Sequence, residues 1–323
     1  MVTIFRSVCF LLLSCWALSA CEKSTDPAAV IPSTQNPLVA FQMRNGVTPE
    51  FFTYNPRRIP RYVSKRGSAI ELGAEAFVTL GGLQLSDAPV RLEFREVLDK
   101  KDMLLSGIPS GTDELILESG GQFYLQATQD NRPLELVPRV RIGLASRSPA
   151  RLSRLTDMRL FSVKGPLLPD PFTWQLSTDQ QSTVQLGIRL TPDSPDYLLA
   201  VLNHELFNQS MGWVSYQRQL YTGTATTTLQ VTVDAAAQEP QQTLVYLVFA
   251  DYNAVAQFHA TGPNSFSLAN VPTGTEATVV VLRGAGGKFY LGQQTAIIQA
   301  GQRFSPALTE MSETSVVAEL SKF

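Results

Sequence analysis

Cysteine and histidine are scarce in this 323-residue chain, which has three of the first and two of the second. Cys9, Cys15 and Cys21 all fall near the N-terminus, so everything beyond them lacks a thiol for a disulfide, a thiolate metal site or a cysteine nucleophile. With only His204 and His259, a three-histidine metal site is excluded. His204 is followed by Glu205, but position 208 is Asn, which breaks the two-histidine zinc helix pattern. Charge of one sign is lacking as well. The 26 Lys and Arg against 28 Asp and Glu leave a formal net charge of −2, too little to gather nucleic acid. No stretch reaches the roughly 18 uninterrupted apolar residues of a membrane helix.

Nucleophile and phosphate motifs are missing too. The nearest approach to Gly-x-Ser-x-Gly is Gly107-Ile108-Pro109-Ser110-Gly111, with the serine one place late, and it reads as a turn. No lysine has a serine three positions before it, which removes the serine-lysine hydrolase pattern. A calcium loop opening at Asp251-Tyr252-Asn253 fails at Val255 and lacks glycine in the sixth place. Gly284-Ala285-Gly286-Gly287 has no helix after it, so it reads as a hairpin and not a phosphate loop. The expectation is no catalytic residue, no metal and no cofactor.

What is present begins at the N-terminus. After Arg6, the apolar run Val8 to Leu18 has the length of a signal-peptide core and is too short to span a bilayer. It ends in Leu18-Ser19-Ala20-Cys21, which resembles a bacterial lipobox. The resemblance implies signal-peptidase recognition through Leu18, Ser19 and Ala20, lipidation of Cys21, and attachment to the cell envelope through that lipid. Glu22 after the cysteine resembles lipoproteins sorted to the outer membrane.

From Cys21 to about Gly46, Ser, Thr, Pro and Asn dominate, as in a flexible tether. Beyond it short alternating runs prevail. Val90, Leu92 and Phe94 alternate with Arg91, Glu93 and Arg95, and Leu229, Val231 and Val233 alternate with Gln230 and Thr232; both are strands with one buried face. Leu244 to Phe249 and Val279 to Leu282 are continuously apolar, as in strands buried on both faces. Turn chemistry, including Gly81-Gly82, Gly120-Gly121 and Pro272-Thr273-Gly274, separates the runs. Helix is expected only over Pro195 to Asn208 and Leu152 to Arg159. The fold class expected is mostly β, two β-sandwich-like domains in tandem. The expected boundaries are 1–20 signal peptide, 21–46 tether, 47–175 first sandwich, 176–228 connecting region and 229–323 second sandwich.

The stretch Gly67-Ser68-Ala69-Ile70-Glu71-Leu72-Gly73-Ala74-Glu75-Ala76-Phe77 resembles the opening of the β-sandwich domain of zonula occludens proteins, ankyrins and netrin receptors. Pro89 to Glu96, Asp102 to Pro109, Glu118 to Ala127, Met158 to Phe161 with Trp174, and Gly212 to Ser215 before Arg218 are similar to landmarks of a Bacteroidetes lipoprotein version of that domain. Phe266, Val271 to Gly274 and Ala277 to Leu282 resemble a transthyretin-like sandwich. These are turn and core residues, so the resemblance implies a fold and no chemistry.

Three features bear on binding. Arg57, Arg58, Arg61, Lys65 and Arg66 form a basic cluster near the tether, readable as a contact for anionic head groups or as a solvated loop. Trp213, Tyr216 and Tyr221 suit a groove or a packed core. Glu93 with Glu96, and Asp193 with Asp196, are the carboxylate pairs available to a glycosidase. The expected function is a lipid-anchored, non-enzymatic envelope binding or scaffold module with a protein or glycan partner. Carboxylate-dependent polysaccharide processing and surface adhesion are the alternatives.

Overall fold

Period-two alternation implies strands with one wet face, and the structure arranges them in four sheets. The computed structural model describes residues 36–138, 140–147, 152, 157–163, 172–186, 197–203, 206, 211–220, 225–233 and 242–323. The lipobox residues Leu18, Ser19, Ala20 and Cys21, together with Asp193, Asp196, His204 and Tyr221, lie outside them.

The largest sheet runs β1 (Glu50–Tyr54), β5 (Val90–Val97), β6 (Leu117–Gln129), β13 (Trp213–Gln219), β9 (Arg159–Val163), β10 (Gln175–Leu176), with β4 (Phe77–Thr79) and β7 (Arg132–Leu136) joined beside β6. Facing it is a sheet of β11 (Thr183–Leu186), β12 (Tyr197–Asn203), β8 (Arg141–Arg147), β3 (Ala69–Leu72) and β2 (Arg61–Val63). The C-terminal pair comprises β16 (Val255–Gln257), β15 (Thr243–Phe249), β19 (Glu276–Ala285), β20 (Lys288–Ile297) and β22 (Thr309–Met311), covered by β17 (His259–Gly262), β18 (Ser265–Pro272), β14 (Thr226–Thr232) and β21 (Arg303–Phe304). The described chain is therefore mostly β, in two sandwiches.

Among the described residues three helices lie between them: α1 (Pro37–Asn45), α2 (Lys100–Ser106) and α3 (Glu313–Leu320). Each has a capping residue. Asn36 accepts from the Leu38 amide, Asp99 from the Asp102 amide and Ser312 from the Ser315 amide. Gly107 closes α2 in the left-handed region at φ 67°, where a side chain would be strained.

Each inner sheet buries both faces. Along β13, Val214 and Tyr216 enter the first sandwich core while Trp213 points the other way. Along β15, Val245, Leu247 and Phe249 enter the second core while Tyr246 and Val248 point back toward Trp213. The outward residues of both sheets share one apolar interlayer with Leu38 and Phe41 of α1, Met103 to Leu105 of α2, and Val316 and Leu320 of α3. The order of layers is sheet, sheet, helices, sheet, sheet.

Several expectations change. Residues 36–46, expected within the tether, hold α1, because Leu38 and Phe41 find an apolar partner that composition alone does not reveal. The segment 197–203, expected as helix, is β12, whose Leu198, Ala200 and Leu202 face the core opposite β8. Arg159, at the end of the other expected helix, opens strand β9. Residues 176–219, expected as a connection, contribute β11, β12 and β13 to the first sandwich. Gly120-Gly121 is no turn. It is a bulge inside β6, where Tyr216 pairs with Gly121 and Gln217 with Ser119, and Gly121 sits at φ 133°.

Candidate functional site

Polar residues define a cleft of about 540 Å³ where the first sandwich meets the helices. Its walls come from the end of α1 (Asn45, Gly46), the start of β1 (Glu50), the turn between β2 and β3 (Lys65, Arg66), and α2 (Lys101, Asp102). The β2–β3 turn is tight. The Gly67 amide donates to the Ser64 carbonyl at 3.0 Å, and Gly67 takes φ 94° to let the chain reverse. This reversal projects Lys65 and Arg66 over the end of β5.

Glu96 lies at the floor. It follows Leu92 and Phe94 on the inward side of β5, so the strand drives a carboxyl into the end of the sandwich core, where it is 4% exposed. Neither Glu96 oxygen has a hydrogen-bond partner of good geometry, and the Ser68 hydroxyl beside it is equally unsatisfied. Burial raises the Glu96 carboxyl above its ordinary value; the nearby Ser68 and Ser64 hydroxyls and the Arg66 guanidinium pull it down, and Glu50 pushes it further up.

The other acids of the cleft are engaged. Glu50 accepts from the Lys65 backbone amide at 3.0 and 3.1 Å. Asp102 accepts from Arg66 at 2.5 Å and from the Leu98 amide at 3.0 Å. Arg66 also donates to the Glu96 carbonyl at 3.2 Å and meets Asp99 at 3.4 Å. Among the described residues the ammonium groups of Lys65 and Lys101 have no carboxylate partner. The cleft therefore offers two free cations at its rim and one unpartnered carboxyl at its base.

The expected binding features are distributed differently. Trp213 and Tyr216 are both buried, packing against Tyr124 at 5.4 Å and Phe123 at 5.2 Å between ring centroids, so neither lines a groove. The basic cluster divides. Arg57 and Arg58 are exposed beside Ile59 on one loop, Arg61 faces Glu71 at 3.4 Å, and Lys65 and Arg66 turn to the cleft. Glu93 and Glu96 project from opposite faces of β5, and Glu93 is held by Arg95 at 2.7 Å, so these two cannot flank one glycosidic bond. His259 is exposed on β17. Ser110 is buried and accepts from the Val255 amide at 3.0 Å, while Asn253 donates to the Leu98 and Ser119 carbonyls at 3.0 and 2.8 Å. Both residues join the two sandwiches. Gly286 and Gly287 form the β19–β20 hairpin tip with positive φ.

No family model, curated protein or solved structure matches the chain. The chemistry of the cleft rests on its own residues. Glu96 carried a sequence signal that its neighbours did not. It occupies the apolar phase set by Val90, Leu92 and Phe94, and a carboxylate in that phase is costly unless it serves something.

Proposed function

We propose that the protein is a lipid-anchored, non-enzymatic module of the cell envelope that binds a ligand in the cleft over Glu96. The observation that carries the binding is a buried carboxyl with both oxygens unpartnered beneath an open polar cleft. Native chains satisfy nearly all buried polar groups, and an exception next to a cleft is where a ligand's donors have most to gain. The anchor is supported by Leu18-Ser19-Ala20-Cys21 after an apolar run of signal-peptide length. Kinship with the β-sandwich domain of zonula occludens proteins, ankyrins and netrin receptors, through its Bacteroidetes lipoprotein version, belongs to the same proposal and is supported by the mostly β fold.

Labelled palmitate is expected to enter the wild-type chain, and Cys21→Ser is expected to move the protein from the membrane fraction to the soluble fraction. Retention of that variant in membranes refutes the anchor.

One observation favours a second reading, polysaccharide processing. Glu50 and Glu96 line the same cleft, and burial that raises one of two neighbouring carboxyls suits an acid and base pair. Turnover of nitrophenyl glycosides that Glu96→Gln abolishes supports it; absence of turnover across a glycoside panel leaves binding alone.

A further inference from the structure

The unpartnered groups of the cleft also state what its ligand carries. This step rests on the binding reading above. Glu96 needs hydrogen-bond donors, and these are neutral. A ligand ammonium entering there meets the ammonium groups of Lys65 and Lys101, whereas a hydroxyl meets no such penalty. The rim asks for the opposite. Lys65 and Lys101 have no carboxylate partner among the described residues, Asp102 is paired with Arg66, and Glu50, bonded only to the Lys65 backbone amide, keeps its charge, so the rim carries two unpaired cations against one carboxylate.

We propose that the cleft takes a sugar acid, its hydroxyls donating to the Glu96 carboxyl oxygens and its anionic group lying against the ammonium groups of Lys65 and Lys101. A cleft of about 540 Å³ falls within the usual range for small-molecule sites. The Glu96 oxygens are buried from water, and Glu96 is among the residues that line the cleft. An entering hydroxyl reaches them only if the last side-chain torsion of Glu96, which has a broad profile, turns one oxygen toward it. The anionic group is a carboxylate or a phosphate, since either suits two ammonium ions as point charges.

The test is calorimetric titration of the purified full chain in detergent with D-glucuronate, D-glucose 6-phosphate and D-glucose. The expected result is binding of at least one anionic sugar at least tenfold tighter than glucose. Lys101→Ala with Lys65→Ala is expected to erase that preference, and Glu96→Ala to weaken the anionic sugar at least tenfold while the fold, checked by circular dichroism, is kept. Tighter glucuronate identifies the carboxylate source, and tighter glucose 6-phosphate the phosphate source. Equal binding of glucose and both anions, unchanged by the double lysine variant, overturns the charge inference and leaves the cleft as a neutral saccharide site. Binding of none of the three overturns the inference. Binding that Glu96→Ala does not weaken overturns the inference and also the assignment of the cleft as the site.

Discussion

A carboxyl that loses water without gaining a partner sets folding against ionisation, and Glu96 is in that position. Burial holds its folded value above that of an ordinary glutamate, so the native state holds the proton more tightly than the unfolded state. The stability that this proton contributes is fully present below the unfolded value and is lost as pH rises through the folded one. Glu96→Gln, which cannot ionise, is therefore expected to match the wild type in urea denaturation near pH 4 and to become the more stable of the two as pH rises toward 8. A difference independent of pH contradicts the account. Asn253 shows the opposite economy, since its one amide serves carbonyls of two separate segments, Leu98 and Ser119. Asn253→Ala leaves both carbonyls short of a donor, with an expected loss of about 1–3 kcal/mol in the same measurement. Both positions were partly legible in the sequence. Glu96 broke the phase of its strand, whereas Asn253 resembled a failed calcium loop because its partners are more than a hundred residues away.

Elements record their layer in their periodicity. Strand β14 alternates because only one face is covered; β15 and β19 are continuously apolar because one face meets the second core and the other meets the interlayer. This much of the fold could be read from the chain. The helices could not, because α1 is nine residues long and its stability comes from the apolar surfaces it touches rather than from its own propensity. Strand β12 is ambiguous in the sequence for a related reason. Tyr197 to Leu202 is apolar enough for either structure, and pairing with β8 along its whole length decides the matter. Helix α3 supplies a test at this scale. Leu320, 1% exposed, is its last anchor in the interlayer, and Arg44 of α1 grips its first turn through Glu313 at 2.8 Å. Leu320→Ala is expected to cost about 2–5 kcal/mol, and Arg44→Ala at the exposed ion pair at most about 1 kcal/mol, both by chemical denaturation. Equal losses contradict the view that the helix is held by burial.

For the molecule as a whole, the interlayer removes the independence that two sandwiches in tandem suggest. Lys100 of α2 donates to the Phe249 and Ala250 carbonyls at 2.7 and 3.1 Å, and the Ser119 amide donates to the Asn253 carbonyl at 2.9 Å, so hydrogen bonds reinforce the shared apolar surface. Scanning calorimetry is expected to give one transition for residues 36–323, with calorimetric and van't Hoff enthalpies in agreement. Two resolved transitions would show that each sandwich melts alone. A boundary drawn from the sequence near Thr228 marks the change of sandwich, with β14 starting at Thr226, yet it carries no hint that the parts are joined. That knowledge needs the three-dimensional neighbours of Trp174 and Trp213. The chain has three tryptophans, and the third, Trp16, precedes Cys21 and would leave with a cleaved signal peptide. The other two, Trp174 and Trp213, stand edge to face with centroids 6.5 Å apart in the interlayer. The emission of this tryptophan pair therefore comes from the seam between the two halves, and a shift toward the red follows the exposure of that seam to water.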